Sequence, residues 1–344
     1  MCPCVLVADF SRVLAGPFCT QVLADLGADV VKVERPDGGD DTRGWGPSYF
    51  LGLNRGKRSV ALDLKDPEDA ALARELVARA DVVVESFRPG VWERFALGEP
   101  RGVTCHITAF GASDLAGYDL LLQAMSGLMH VTGEEDGRPL KVGSAVIDLV
   151  CGLHAAVGVL AALRSGERRV DVSLMDSALV SLLNQASAFL NEGVSPHRMG
   201  NRHPSIAPYE TFGDLAVACG NDAMFVRLCA VIERPDLAER FPTNVERLEH
   251  RDEISAALEA AFAEEGDWAA RLNAAGVPAG RVNDVPGAFA LAESLGLDPV
   301  WELDGVRTVR SPLRGVAKPT SRPPRLDEHG DAIRSWLRTP PSPA

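Results

Sequence analysis

The chain has 344 residues, 46% of them hydrophobic, enough for a sizeable core and by length alone indicative of two domains. A formal net charge of -13 excludes the basic character that non-specific nucleic-acid binders carry, although locally gathered basic residues can still hold an anion. Seven scattered cysteines form no CxxC pair and no Cys/His cluster of zinc-ligand spacing, so no metal is expected, and an odd set of this kind fits a reducing cytoplasm better than a disulfide framework.

No basic stretch followed by an apolar signal core opens the sequence. "CVLVADF" (4–10) reads as a strand, "LAGP" as a turn, "FCTQVLADLGA" (18–28) as a helix stopped at Gly27, and "DVVKVER" (29–35) as the next strand. The β-α-β pattern recurs: strand 58–64, helix 67–80 with Pro67 at its start, strand 81–87, and a further strand at 103–111. From 119 the pattern turns helical, with "DLLLQAMSGLM" and a long segment at 149–163. The apolar run 142–163 contains Asp148 and His154 and ends at Arg164, so no membrane span is expected. A strand (168–175) and one helix closed by Gly193 (176–193) follow. "SPHRMGNRHPSIAPYETFG" (195–213) reads as a linker or functional loop, "LAVACG" as a strand, then short helices to 292, irregular strand-like pieces at 299–319 and a disordered tail, "TPPSPA".

A parallel sheet of this kind binds ligands at the carboxyl ends of its strands. Glu34 stands where a ribose-binding acid would, but "SRVLAGPFC" has one glycine where the dinucleotide fingerprint needs three, and Pro17 removes an N–H that a phosphate would use. Classical NAD binding is therefore not expected. Arg35, Lys65, Arg88 and Arg94 follow strands instead, and side chains of this type hold phosphates without a glycine cradle.

Several collinear blocks, among them "VLAGPFCTQVLADLGADVVKVERPDGGDDTRGWGP", "NRGKRSVALDLKDP", "VVVESFRPG", "GYDLLLQAMSGLM", "VGSAVIDLVCGLHAAVGVLAAL", "VDVSLMDSAL" and "GNRHPSIAPYETF", resemble the family III coenzyme A transferases. That group also contains α-methylacyl-CoA racemase as a divergent branch. The resemblance runs to about residue 330. It implies an α/β fold: a large Rossmann-like domain with a parallel sheet (1–195, with a return at 301–335) and a smaller α/β domain (210–300), joined by a loop at 196–209 and followed by a tail at 336–344. It also implies an interlocked homodimer, an acyl-CoA and a small carboxylic acid as substrates, and no nucleic-acid or membrane partner.

Asp148 admits two compatible readings. An aspartate before a helical run is a favoured N-cap and needs no reactivity. The resemblance places the family's nucleophile at this position, and a helix N-terminus can keep a partly buried carboxylate ionised. The implied chemistry is covalent: an aspartyl anhydride with the donor acyl group, then an aspartyl-CoA thioester, with oxyanions held by N–H groups near Gly143 and in the 200–208 loop. Tyr118 occupies the place where the racemase branch has a histidine. A phenol is a poor acid/base for α-proton exchange near neutrality, so transferase is favoured over racemase. His154 is expected along its helix and His130 at a helix end. Leu14 stands where formyl-CoA transferases carry glutamine, which argues against that subfamily, and Ser86 stands where relatives often carry asparagine. By the same matching, Val13, Leu62 and Phe87 would flank the adenine or pantetheine, with Arg35, Lys65, Arg88 and Arg94 at the phosphates and Asn201 and His203 in a loop that touches substrate or only shapes itself. "LRSGERRVDV" and "FGDLAVACGND" are shorter than the usual family versions, which leaves a catalytically silent CoA-binding protein as a further alternative beside the racemase.

Overall fold

Runs of β-branched residues, apolar on both faces, suit strands covered from two sides. The computed structural model describes residues 5–318 and 321–340. It opens with β1 (Leu6–Phe10), α1 (Ala15–Asp25) and β2 (Asp29–Glu34), the expected β-α-β unit. A 3-10 turn at Asp41–Arg43 and α2 (Pro47–Leu53), neither anticipated, lead to β3 (Lys57–Ala61). Then come α3 (Pro67–Arg79), β4 (Val82–Glu85), α4 (Val91–Phe95) and β5 (Val103–Thr108). The first pass along the fold ends with α5 (Asp119–Met125), α6 (Val146–Ser165), β6 (Arg169–Ser173), α7 (Leu174–Ser181) and α8 (Asn184–Glu192).

The six strands pair in parallel in the order β3-β2-β1-β4-β5-β6, the doubly wound arrangement, with its reversal between β1 and β4. Successive strand residues face opposite ways. Val7, Val30, Val82, Val84 and Cys105 pack with Cys19, Leu23, Cys151, Ala155 and Val159 on one side. Ala8, Val31 and Val83 pack with Leu72, Leu76, Val77, Ile333 and Leu337 on the other.

Three helical expectations need correcting. The helix read over 176–193 is two, because Leu183 takes a left-handed φ of 42° between them; Gly193 does close the second, at φ 69°. The helix from 119 stops at Met125, which leaves His130 in a turn beyond it. α6 starts at Val146, so Asp148 lies inside its first turn and is not its cap. By length and composition alone α6 is also apolar enough to cross a membrane. It nonetheless carries Asp148 and buries Ile147, Cys151, Ala155 and Val159 in the core.

The described residues divide into two compact units: those up to 128, with 141–195 and those from 298 onward; and 129–140 with 196–297. The second unit holds the antiparallel sheet β7 (Tyr209–Phe212), β8 (Leu215–Ala218) and later β9. Its helices are α9 (Asp222–Val231), α10 (Pro235–Arg240), α11 (Asn244–Glu249), α12 (Arg251–Phe262) and α13 (Trp268–Ala274), then β9 (Ala279–Arg281) and α14 (Val285–Ser294). Phe212, Val217, Phe225, Leu228, Ile254, Leu258, Trp268 and Leu272 form its separate core. The short "FGDLAVACGND" makes a hairpin in which Phe212 pairs with Leu215 across Gly213 and Asp214. The chain then returns to the first unit as β10 (Val300–Leu303), β11 (Val306–Val309) and α15 (Gly330–Arg338). The expected tail from 336 is thus corrected: α15 runs through it and buries Leu337 against the sheet, while residues 341–344 lie outside the described residues.

Candidate active site

A cleft opens where the strand order reverses. It is lined by residues 12–16 after β1, 86–89 after β4, 107–109 and 113–118 at and after the end of β5, with Asp148 of α6 and Leu174 of α7. Every one of these belongs to the first compact unit.

The loop after β1 is gripped from below by charges that the sequence hides inside apolar strands. The Asp9 carboxylate accepts the Ser11 N–H at 3.0 Å and the Thr20 hydroxyl at 2.6 Å and pairs with Lys57 at 3.1 Å. Lys32 donates to the Ser11 carbonyl at 2.9 Å and pairs with Asp40, also at 2.9 Å. Asp40 in turn accepts the Val13 N–H at 3.2 Å. Burial opposes ionisation of Asp9, but the two lysines and the hydroxyls outweigh it and hold its pKa at about 2. Burial likewise lowers Lys57 to about 8 against the pull of Asp9. So held, Val13 takes a φ of 71°, a strained conformation for a β-branched residue. Gly16 completes the turn: a Cβ there would lie 2.2 Å from that of Ser11.

α6 brings Asp148 to this loop. Gly152, one turn beyond it on the same face, has no side chain; a Cβ there would stand 2.5 Å from the Ala15 carbonyl oxygen. The missing side chain lets α6 lie close against the start of α1. Asp148 is 8% exposed. Burial, and secondarily the charge of Asp119, push its pKa up to about 7. The helix N-terminus therefore does not hold this carboxyl in the ordinary carboxylate range. The N–H groups of Ile147 and Asp148 are already taken by the Asp119 carboxylate, at 2.8 and 3.3 Å.

The other expected residues divide. Val13, Leu14, Phe87, Arg88 and Tyr118 line the cleft with Asp148. Arg35 pairs with Asp41 at 2.7 Å, and Asp41 also takes Arg12. Lys65 is exposed beyond β3, and exposed Arg94 lies over the Phe95 ring. Leu62 is 2% exposed inside the core, so its side chain does not flank a ligand. Gly143 is exposed and is not part of the cleft lining, and its carbonyl accepts from Lys141. Asn201 and His203 belong to the second unit, where they shape their loop: Asn201 donates to Thr211 at 2.8 Å, and His203 accepts from the Ser205 N–H and packs on Tyr209. His154 contacts the Ser177 hydroxyl from an exposed position. Glu34 accepts from Arg43 and from the Ser59 hydroxyl, each at 2.7 Å. Ser173 caps α7, its hydroxyl accepting the Asp176 N–H at 3.0 Å.

Sequence reasoning missed Arg12, which lines the cleft and whose backbone N–H donates to the hydroxyl of Ser86, another lining residue, at 3.2 Å. It also missed Asp119 and Gln123. The signal for the buried network was present, because Asp9 and Lys32 interrupt runs that are otherwise apolar.

The family model described as CoA-transferase family III matches residues 5–330. The chain is 40% identical to the succinate–glutarate CoA-transferase of Agrobacterium fabrum, across 97% of this chain and 95% of that one. It is 38% identical to the acetyl-CoA:oxalate CoA-transferase of Acetobacter aceti, across 98% and 95%. Among solved structures, a CAIB/BAIF family protein from Brucella suis superposes with a TM-score of 0.86 at 40% identity, covering 97% of this chain and 98% of that one. A doubly wound sheet with an aspartate at its switch point, and likeness over nearly the whole length, lead to one conclusion: the chain belongs to CoA-transferase family III, enzymes whose substrates are CoA thioesters.

Proposed function

We propose that this CoA-transferase moves CoA between dicarboxylic acids through covalent intermediates on Asp148. The observation that carries the reading is the position of Asp148: a buried carboxyl in the wall of the switch-point cleft, beside the strained loop at Val13. An Asp148 oxygen attacks the thioester carbonyl of the donor, the C–S bond breaks, and an acyl-aspartyl anhydride and CoA thiolate result. The thiolate attacks the aspartyl carbonyl, expels the donor acid and leaves an aspartyl-CoA thioester. The acceptor carboxylate attacks that thioester, releasing thiolate, which then takes the acceptor's acyl group and frees Asp148.

Support for dicarboxylates comes from the relatives named for succinate, glutarate and oxalate. Arg12 and Arg88 are the cations of the described cleft lining, and the Arg88 guanidinium makes no ion pair among the described residues. A guanidinium suits either a carboxylate or a phosphate. The racemase alternative finds no support there, since the described lining contains Tyr118 and no histidine. We also read the chain as an interlocked homodimer. That reading is supported by apolar residues left exposed on three consecutive helices: Leu153 and Val157 on α6, Val180 on α7, and Phe189 and Leu190 on α8, a helix with no buried residue. A reducing cytoplasm is supported by the five cysteines of the described residues, all free and buried.

The test is turnover with succinyl-CoA or acetyl-CoA against glutarate, oxalate and monocarboxylate acceptors, followed by succinyl-CoA with hydroxylamine and peptide mass analysis. Exchange among dicarboxylates and a hydroxamate at Asp148 are expected. An active protein left unmodified at Asp148 overturns the covalent route, and turnover confined to monocarboxylates overturns the substrate class.

A further inference from the structure

Two helices begin at one point. α5 starts with Asp119 and α6 with Val146, and the Asp119 carboxylate lies between their first turns. Its Oδ1 accepts the N–H groups of Ile147 and Asp148. Its Oδ2 accepts the Gln123 Nε2 at 2.5 Å, and the Gln123 Oε1 accepts the Val142 N–H at 2.8 Å. Gln123 is fully buried, and Asp119 is 9% exposed. α6 has no cap of its own, since Ala145 at its N-cap offers no side-chain acceptor. The cap is imported from a residue 29 positions before Asp148.

We propose that Asp119 is the positioning residue of the nucleophile: it ties the backbone of Asp148 to the start of α5, sets a fixed negative charge beside the reacting carboxyl, and is itself held by Gln123. The proposal rests on Asp148 being the nucleophile. A cap placed on Ala145, or on Asp148 itself, would fasten α6 equally well. Only an acceptor brought from α5 couples the reacting residue to the cleft wall at Gly117 and Tyr118, the residues before Asp119. It also withdraws the helix-terminal donors that would otherwise stabilise the Asp148 anion. Asp148 is thereby left a more basic, hence more nucleophilic, carboxylate. The titratable groups facing it are Asp119 from α5, the Tyr49 phenol from α2 and the Cys151 thiol one turn along α6, all acids. Asp176 of α7 bears on Cys151, and Arg12, Arg88, Asp114 and Tyr118 share the cleft.

The experiment compares pH profiles of kcat/KM for wild type, Asp119→Asn and Asp119→Ala, with thermal melts as a folding control. Asparagine keeps an acceptor toward α6 but removes the charge. Its acid limb is expected to move down from near 7 by the smaller part of the shift, since burial remains, and it retains more turnover than the alanine variant. Alanine loses both functions, and kcat is expected to fall roughly 10- to 100-fold with a smaller change in KM. An unmoved acid limb in Asp119→Asn, or equal kcat in the two variants, overturns the proposal. Asp148→Asn, run alongside, separates the two claims. If it still turns over, the nucleophile reading fails and takes this one with it; if it is dead while the Asp119 variants keep the wild-type profile, only the positioning role fails.

Discussion

Asp148 has lost the water that keeps an ordinary aspartate acidic, and the cost appears in stability as well as in chemistry. An unfolded aspartate releases its proton near pH 3.9, the folded one near 7. Between those values the native state holds a proton that the unfolded chain has released, so this group's contribution is fully present below about pH 4 and is lost by about pH 7. Asp148→Asn stays neutral throughout. It is expected to match wild type in urea unfolding at pH 4 and to exceed it at pH 8 by a few kcal/mol, while losing turnover; equal stability of the two proteins at pH 8 would contradict the burial argument. Asp148, the proposed nucleophile, is therefore one of the residues the fold would be steadier without.

The next scale is set by how closely α6 lies against α1. Gly152→Ala places a methyl against the Ala15 carbonyl and has to push the helices apart. Destabilisation of about 1–3 kcal/mol is expected. Because Asp148 shares that face, kcat should fall roughly 10- to 100-fold while the protein stays folded, measured by urea unfolding and steady-state kinetics on one preparation. α8 raises a different issue. It is cut from α7 at Leu183 and exposes Phe189 and Leu190 by 58% and 77%. On the proposed dimer reading the parent is expected to sediment as a dimer in analytical ultracentrifugation, and replacing Leu190 by lysine together with Phe189 by serine is expected to yield a folded monomer. Unchanged sedimentation would mean that α8 faces something else.

Over the whole molecule, the chain closes on itself late. After the second unit it returns as β10, β11 and α15, and Arg55 ties that return to the start: it pairs with Asp25 at 2.6 Å and donates to the Thr308 hydroxyl and the Val309 carbonyl at 3.1 and 3.0 Å. Arg55→Ala leaves a buried Asp25 without its partner. A loss of about 3–5 kcal/mol is expected by denaturant unfolding. Arg55→Lys, which cannot form the paired fork, should recover only part of it.

The β-α-β alternation was readable because each strand and helix carries its own period in consecutive residues. Asp148 was legible as a residue of interest because a charge in a small-residue run is rare whatever surrounds it. Its role as cap was misread because the competing cap, Asp119, acts through space, and no local pattern announces it. The single helix read over 176–193 failed for a related reason, since nothing in its apolar spacing marks Leu183 as left-handed.

Local chemistry written along the chain, namely hydrophobic period, turn residues and the missing glycine fingerprint, was enough to indicate an α/β fold with a parallel sheet, a ligand site at its strand ends and an aspartate worth suspecting. Tertiary structure alone decided the protonation of that aspartate, the origin of its helix cap, the withdrawal of Leu62 into the core and the strain at Val13. Each of these depends on which distant groups share a dry space, and solvation and hydrogen bonding in such a space are set by neighbours in three dimensions.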